Sequence, residues 1–374
     1  MWVYICAFSL SIISFLGIAK TNREHLAVAQ REYGYKVRWT SVKCAVVVAA
    51  LPIIFIAGVR YNVGTDYINT YYTGFYRLLE GSEWDNFEFG YRILNKMIQL
   101  FSNNVFILFF ITAVIFVGFT YAGIYSLSLD IPLSIALFFI SRYFFIGLNG
   151  VRQFIAMAIL LYSIRYIFER KLGIYLIFSF LSFSFHYSAL IFIPVYLVSY
   201  IDISPKKYIV LCSLGILILL FGKDIINGIL SLTKYGQLLN RYSYAGVKFT
   251  LFTIVLNLFI IFVFFIKYMD LRENIMYRTY LNIQVLATLS TFALRTIPSM
   301  ERIYWYFSFP LIVSFPYIIK QYNNMKLRKA ITCTLFFLLG VYFIYDIIIL
   351  RDHEVLPYDW FFGHSPIHYS GWYN

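Results

Sequence analysis

Charge is what this sequence has least of. Only 13% of its 374 residues are charged, and 61% are hydrophobic. A water-soluble fold is excluded, because soluble domains carry roughly 25% charged residues. Metal and disulfide frameworks are missing too. Cys6, Cys44, Cys212 and Cys333 each stand alone in an apolar run, with no CxxC pair and no ligand spacing. They read as small buried hydrophobes. The chain has no HExxH, no DxD, no Walker loop and no GxSxG, so its chemistry is expected to be metal-independent and to use no cofactor. No internal repeat is visible, which weighs against a transporter built from duplicated halves.

What fills the chain instead is a series of apolar runs of the length needed to cross roughly 30 Å of hydrocarbon. They fall at 2–19, 42–59, 103–125, 131–147, 150–168, 207–222, 249–267, 280–297, 303–319 and 330–350, with one further run at 172–200 that is long for one span and short for two. The first run lacks the basic flank and cleavage site of a signal peptide and reads as a retained span. The predicted fold is an all-α integral membrane protein, a single polytopic domain over 1–374 with about 11–12 transmembrane helices. A large extracytoplasmic loop, about 60–102, is expected to carry an amphipathic helix.

The net charge of +13 could point to nucleic acid. The positive-inside bias of membrane proteins explains it better, and no nucleic-acid partner is expected. Lys20, Arg23, Arg31, Lys36, Arg38 and Lys43 make the loop 20–43 cytoplasmic. If 172–200 is a hairpin with its tip near His186, nearly all of the net positive charge falls on inside loops. The outer face then collects the loop 60–102, the segment "LNGVR", the His186 tip, the loop 223–248, Arg295 to Arg302, and an aromatic tail.

Four stretches on that face have chemical potential. In "FFIGLNGVRQFIAMAIL", Gly147, Asn149 and Gly150 interrupt an apolar run, so one helix ends and another begins, with Asn149 as its expected N-cap. Arg152 then sits in a first turn, where a cation opposes the helix dipole. That placement makes sense if an anion sits there as well, held by the guanidinium and by free helix amides, with Gln153 beside it. The plainer alternative is a snorkelling arginine. In "VRYNVGTDYINTYYTGFYRLLEG", Arg60, Asp66 and Tyr67 suit a sugar, through aromatic stacking and carboxylate–hydroxyl bonds; Asp66 can equally be a turn residue after Gly64. The segment continues into "FEFGYRILNKM", the amphipathic helix, with Phe87, Phe89, Ile93 and Leu94 toward lipid or the bundle. In "FSFHYSALIF", His186 is either a packed, hydrogen-bonded residue or a proton acceptor working near neutral pH. In "LRTIPSMERIYWYF", Arg295 and Arg302 flank Pro298 and could clamp a diphosphate, or Glu301 could simply neutralise Arg302.

In their order, "RYNVGTDYINTYYTGF", "FEFGYRILNKM", "LNGVRQFIAMAI" with "ERK", and "FHYSALIFIPVY" resemble the EpsG family of Wzy-type polysaccharide polymerases across roughly residues 55 to 200. The second half resembles it in hydropathy, with "PSMERIYWYF" and "LPYDWFF" as fainter echoes. The resemblance implies a bacterial membrane glycosyltransferase. Its donor and acceptor would be oligosaccharide repeat units on undecaprenyl pyrophosphate, joined at the outer face of the cytoplasmic (inner) membrane into a surface polysaccharide such as an O-antigen or exopolysaccharide. Membrane lipid would be a partner and a chain-length regulator an optional one. On that reading Arg152, with Arg295 or Arg302, holds the leaving pyrophosphate. His186 is the base, and Asp66 holds the acceptor hydroxyl or exchanges roles with His186. Rival readings are a lipid-linked oligosaccharide flippase, which needs polar groups through the full depth of a cavity, and a membrane O-acyltransferase, whose donor is cytoplasmic.

The hairpin topology has a direct test. Single cysteines placed at Tyr187 and at Lys206 in a chain stripped of native cysteines should differ. An impermeant thiol reagent added outside should label the first and spare the second; the reverse pattern sinks the assignment.

Overall fold

The structure is a computed structural model that describes residues 1–29, 36–82, 87–231, 250–292 and 300–364. It is all-helical, 81% helix, with no strand among the described residues. Four described helices are long and apolar enough to cross a membrane: Trp2–Ala19, Val105–Leu127, Val151–Phe168 and Met325–Ile349. A fifth candidate is the pair Ile131–Ile140 and Tyr143–Asn149, bent by 54°. Val42–Gly58, Leu172–Phe185, Tyr187–Val198 and Leu251–Ile266 are apolar but shorter. The uninterrupted run 172–200 divides at His186, which lies between the helix Leu172–Phe185 and a 3-10 segment, Tyr187–Phe192. Large apolar side chains point outward along these helices, among them Trp2, Ile13, Phe180 and Phe337. In a chain with so little charge, an apolar exterior of that extent fits lipid rather than water.

The chain packs as two compact units. The first comprises Met1–Ser163, Ile177–Tyr187 and Leu339–Asn374. In it α1 (Trp2–Ala29) lies on α2 (Lys36–Gly58), α2 on α5 (Val105–Leu127), and α1 also on α6 (Ile131–Ile140). Local signals start these helices. Asn104 caps α5 by accepting from the Phe106 amide at 2.9 Å, and Asp130 caps α6 through the Leu133 amide. The core is aromatic. Phe8 meets Phe138, Phe139 and Phe144, while Tyr4 sits edge-on to Phe144, Phe145 and Tyr358 and donates to the Val355 carbonyl.

Between α2 and α5 the residues expected to form an outer loop carry helical segments joined by short irregular stretches. A π-helical segment, Tyr67–Tyr72, runs into α3 (Thr73–Leu79), and α4 follows at Phe89–Gln99. α4 is amphipathic, as its sequence predicts. Phe89, Ile93 and Met97, one turn apart, face outward, while Tyr91, Asn95 and Ile98 are buried. Phe87 faces inward, against Tyr71 and Tyr91.

The bend between α6 and α7 (Tyr143–Asn149) falls at Ser141–Arg142, where Arg142 has a left-handed φ of 70°. Its guanidinium is ion-paired with Asp346, from a π-helical segment 204 residues later, and lies 3.7 Å from the Tyr342 ring centroid. Both partners of the ion pair are buried.

The second unit comprises Ile164–Leu176 and Ser188–Leu338. Several of its polar side chains pair with one another or with backbone carbonyls. Asn257 donates to the Tyr304 hydroxyl at 3.0 Å and accepts from Gln284 at 2.9 Å, and Asn282 donates to the carbonyls of Val198 and Ile201. Tyr175 donates to the Phe192 carbonyl, and Tyr268 to the Asp202 carboxylate.

Breaking one side of a buried ion pair costs roughly 3–5 kcal/mol, because the survivor stays charged in a poor solvent. Asp346→Leu should therefore lower the thermal midpoint of the detergent-solubilised protein sharply, and Arg142→Met combined with Asp346→Leu should recover much of the loss. Equal loss in both would mean that the pair is not buried as described.

Candidate active site

The first unit brings three of the four chemically promising stretches to one place. The loop after α2 is held by its own backbone. Gly64 has φ +106°, a conformation that glycine adopts without strain, and a Cβ there would lie 3.2 Å from the Leu148 carbonyl oxygen. That close approach lets the end of α7 dock. Asn149 Oδ1 accepts from the Thr65 hydroxyl and from the Asp66 amide, each at 2.8 Å, and Asn149 Nδ2 lies 3.2 Å from His353 Nδ1. The sequence reading of Asn149 as cap of the following helix is corrected here. Asn149 is the last residue of α7, Gly150 supplies the carbonyl for the first bond of α8 (Val151–Phe168), and the Asn149 side chain ties down the 64–66 loop.

The tail closes on the same loop. The Gly64 and Thr65 amides donate to the Glu354 and His353 carbonyls, and Arg60 bridges to Trp360 in an isolated antiparallel contact. Burial pushes the His353 imidazole below its usual range, with Asp352 opposing that shift. Arg60 is 2% exposed. It donates to the carbonyls of Ala57 and Leu148, and it lies 5.0 Å from the Phe109 centroid and 5.9 Å from that of Tyr67. Tyr67 stacks on Phe109 and donates to the Arg60 carbonyl. Arg60 and Tyr67 are thus enclosed together, as a joint between the loop and α7.

Arg152 stands in the first turn of α8, as its sequence predicts, and its environment is the central finding. Its guanidinium is ion-paired with Oε2 of Glu88. The other carboxylate oxygen, Oε1, lies 2.6 Å from His186 Nδ1. Glu88 is 5% exposed and sits at the N-cap position of α4. Burial opposes its ionisation, yet the His186 hydrogen bond and the Arg152 charge outweigh burial and hold the carboxyl below the ordinary glutamate range. Burial pushes the Tyr71 phenol above its usual range, against the opposing Arg152 charge and with Asp66 adding to the rise, and the Arg152 guanidinium lies 5.3 Å from the Phe87 centroid.

Close helix contacts make this meeting possible. A Cβ on Gly90 would collide with the Ser184 side chain and lie 2.7 Å from its carbonyl oxygen, so only glycine lets the start of α4 reach the end of α9 (Leu172–Phe185). Ser182 in turn donates to the Ala156 carbonyl at 2.8 Å, fixing α9 on α8. Glu88 and His186 therefore meet because Gly90 and Ser184 do.

Asp66 is half-buried at the start of the Tyr67–Tyr72 segment and makes no capping bond with its side chain. Gln153 is buried one residue beyond Arg152. Glu301 and Arg302 lie on the helix Met300–Ser308 of the second unit, with Arg302 exposed, and Arg295 lies outside the described residues. Glu88, Tyr71 and the Asn149 anchor escaped sequence reasoning. The signal for Glu88 is a carboxylate immediately before an amphipathic helix, in a motif whose apolar residues alone the sequence analysis weighs. Among the described residues no group of three His, Cys, Asp or Glu side chains is arranged to hold a metal.

In a polytopic helical protein, a buried glutamate–arginine–histidine cluster is costly to maintain and marks a candidate functional site. The EpsG family profile matches residues 43–360, which spans every element of this cluster. The chain belongs to the EpsG family, a family of Wzy-like polysaccharide polymerases. No curated protein and no solved structure matches it.

If the loop is held as described, Gly64→Ala must force a positive φ on a residue with a Cβ and crowd the Leu148 carbonyl. The expected loss is about 1–3 kcal/mol of stability, read from thermal unfolding in detergent. An unchanged midpoint would mean that the loop does not dock on α7.

Proposed function

We propose that this protein joins lipid-linked oligosaccharide repeat units into a polysaccharide, acting as a membrane glycosyltransferase. The observation that carries this reading is the convergence of Glu88, Arg152 and His186, from three separate motifs, beside the Asp66 loop. The substrates are repeat units on undecaprenyl pyrophosphate, and the site faces the outer side of a bacterial cytoplasmic membrane, within a bundle of about 11–12 spans. A chain-length regulator is a further partner of such a system.

In the reaction, His186 accepts the proton of an acceptor sugar hydroxyl. The hydroxyl oxygen bonds to the donor's anomeric carbon, the bond from that carbon to the phosphate oxygen breaks, and lipid pyrophosphate leaves with the electron pair. Asp66 orients the acceptor hydroxyl from the loop. Arg152 engages Glu88 through part of its guanidinium and offers remaining N–H donors to the leaving pyrophosphate, where negative charge grows in the transition state. Arg60 and Tyr67 support the loop from beneath.

Purified protein and lipid-linked repeat units test the reading. His186→Ala should slow turnover at saturating substrate by about 10²–10⁴-fold, the usual share of a general base. Asp66→Asn should mainly weaken acceptor use. Arg152→Lys should fail largely, because a lysine cannot offer the planar donor set. Normal turnover by His186→Ala with a dead Asp66→Asn would exchange the two roles, and absence of polymer from the wild type would sink the reading.

A further inference from the structure

We infer that Glu88 is a positioning residue, fixing which ring nitrogen of His186 carries the proton. The inference deepens the polymerase reading and rests on it for its consequence in turnover; its geometric core stands apart from it. An ionised carboxylate only accepts hydrogen bonds. Glu88 is held ionised by two donors, and its Oε1 lies 2.6 Å from Nδ1. Nδ1 must therefore carry the hydrogen, which leaves Nε2 as the ring atom with a lone pair in the neutral imidazole. A base that works from Nε2 needs that tautomer in every turnover, and a histidine without a fixed partner divides its population between two.

The arrangement is built rather than incidental. The glutamate cannot swing away without exposing the Arg152 charge, because the same carboxylate holds the guanidinium through Oε2. The imidazole side is fixed equally firmly. His186 directly follows α9, which Ser182 bonds to Ala156 on the helix that carries Arg152, and Gly90 brings the start of α4 against Ser184 two residues before the histidine. Glu88 thus couples the proton acceptor to the cation.

Three consequences separate positioning from simple support. Glu88→Gln keeps the size of the side chain, but its amide can accept from Nδ1–H or donate to a bare Nδ1, so the lock is lost. On the polymerase reading its turnover at saturating substrate should fall about 10²-fold or more, while KM for the lipid-linked repeat unit does not rise, because Arg152 without its carboxylate holds a pyrophosphate at least as well. In detergent, ¹⁵N spectra of histidine-labelled protein should show one neutral tautomer for His186 in the wild type and a mixture in Glu88→Gln. The chain has five histidines, and the His186 signals are those that vanish in His186→Gln.

If Glu88→Gln does not accumulate because Arg152 is left unpaired, Glu88→Gln with Arg152→Gln removes both charges, and the tautomer measurement is made there. A mixed population in that variant supports the assignment. A single Nδ1–H tautomer without the Glu88 carboxylate overturns it, as does unchanged turnover in Glu88→Gln. Should the wild type make no polymer, the polymerase reading fails, and the spectra still decide whether Glu88 fixes the ring.

Discussion

A carboxylate buried beside hydrocarbon must be surrounded by donors or lose its charge, and Glu88 sets that requirement for the first unit. Leaving such a group unpaired costs several kcal/mol, so its partners are obligatory. They come from two other helices. Arg152 arrives from the start of α8 and His186 from the end of α9, so the three helix ends have to meet at one point. The small contacts around them follow from that need: glycine at Gly90 where a side chain would collide, and a serine hydroxyl from Ser182 reaching across to Ala156. Arg142 and Asp346 obey the same rule at a second point, where a chain bend and a π-helical segment bring two charges together.

The aromatic residues perform the complementary task. Arg60 has no carboxylate partner among its described contacts, and backbone carbonyls together with the Tyr67 and Phe109 rings surround its charge instead. Tyr71 plays a related part for Arg152. A sequence that is 21% aromatic can thus hold guanidinium groups where acidic residues are few. The same rings fasten the tail: Phe361 stacks on Phe106, Tyr358 donates to the Ile56 carbonyl, and the tail carbonyls receive the Gly64 and Thr65 amides.

Much of this was legible in the sequence because it depends on local chemistry. The break before Arg152, the first-turn position of that arginine and the amphipathic face of Phe89–Gln99 all follow from residue pattern. What was not legible depends on side-chain direction and on distant partners. "LNGVRQ" does not reveal that Asn149 turns toward Thr65 rather than toward its own helix. "FEFG" does not reveal that Glu88 meets a histidine 98 residues away. Hydropathy counts apolar length, and it overlooks where a run is cut into shorter helices, as in 172–200. The sequence did show Arg152 as a cation in need of an anion; the anion that the structure supplies belongs to the protein itself.

On the proposed reaction, that internal anion changes how the site would act on a pyrophosphate. Arg152 and Glu88 balance one another, so with neutral His186 the cluster has little net charge and little hold on an anion in the ground state. On the proposed reaction, the acceptor hydroxyl gives its proton to His186, and the cluster becomes positive by one charge. This happens as the bond to pyrophosphate breaks and negative charge gathers on the leaving oxygen. Attraction that rises with the transition state accelerates a reaction, whereas attraction already present in the bound substrate does not. Burial of the cluster lowers the local dielectric and enlarges the effect of that single charge. A permanently cationic pocket would bind the lipid pyrophosphate product tightly and release it slowly. The pairing of Arg152 with Glu88 thus suits a catalyst that must turn over, and it accounts for an arginine whose charge is largely spent before any substrate arrives.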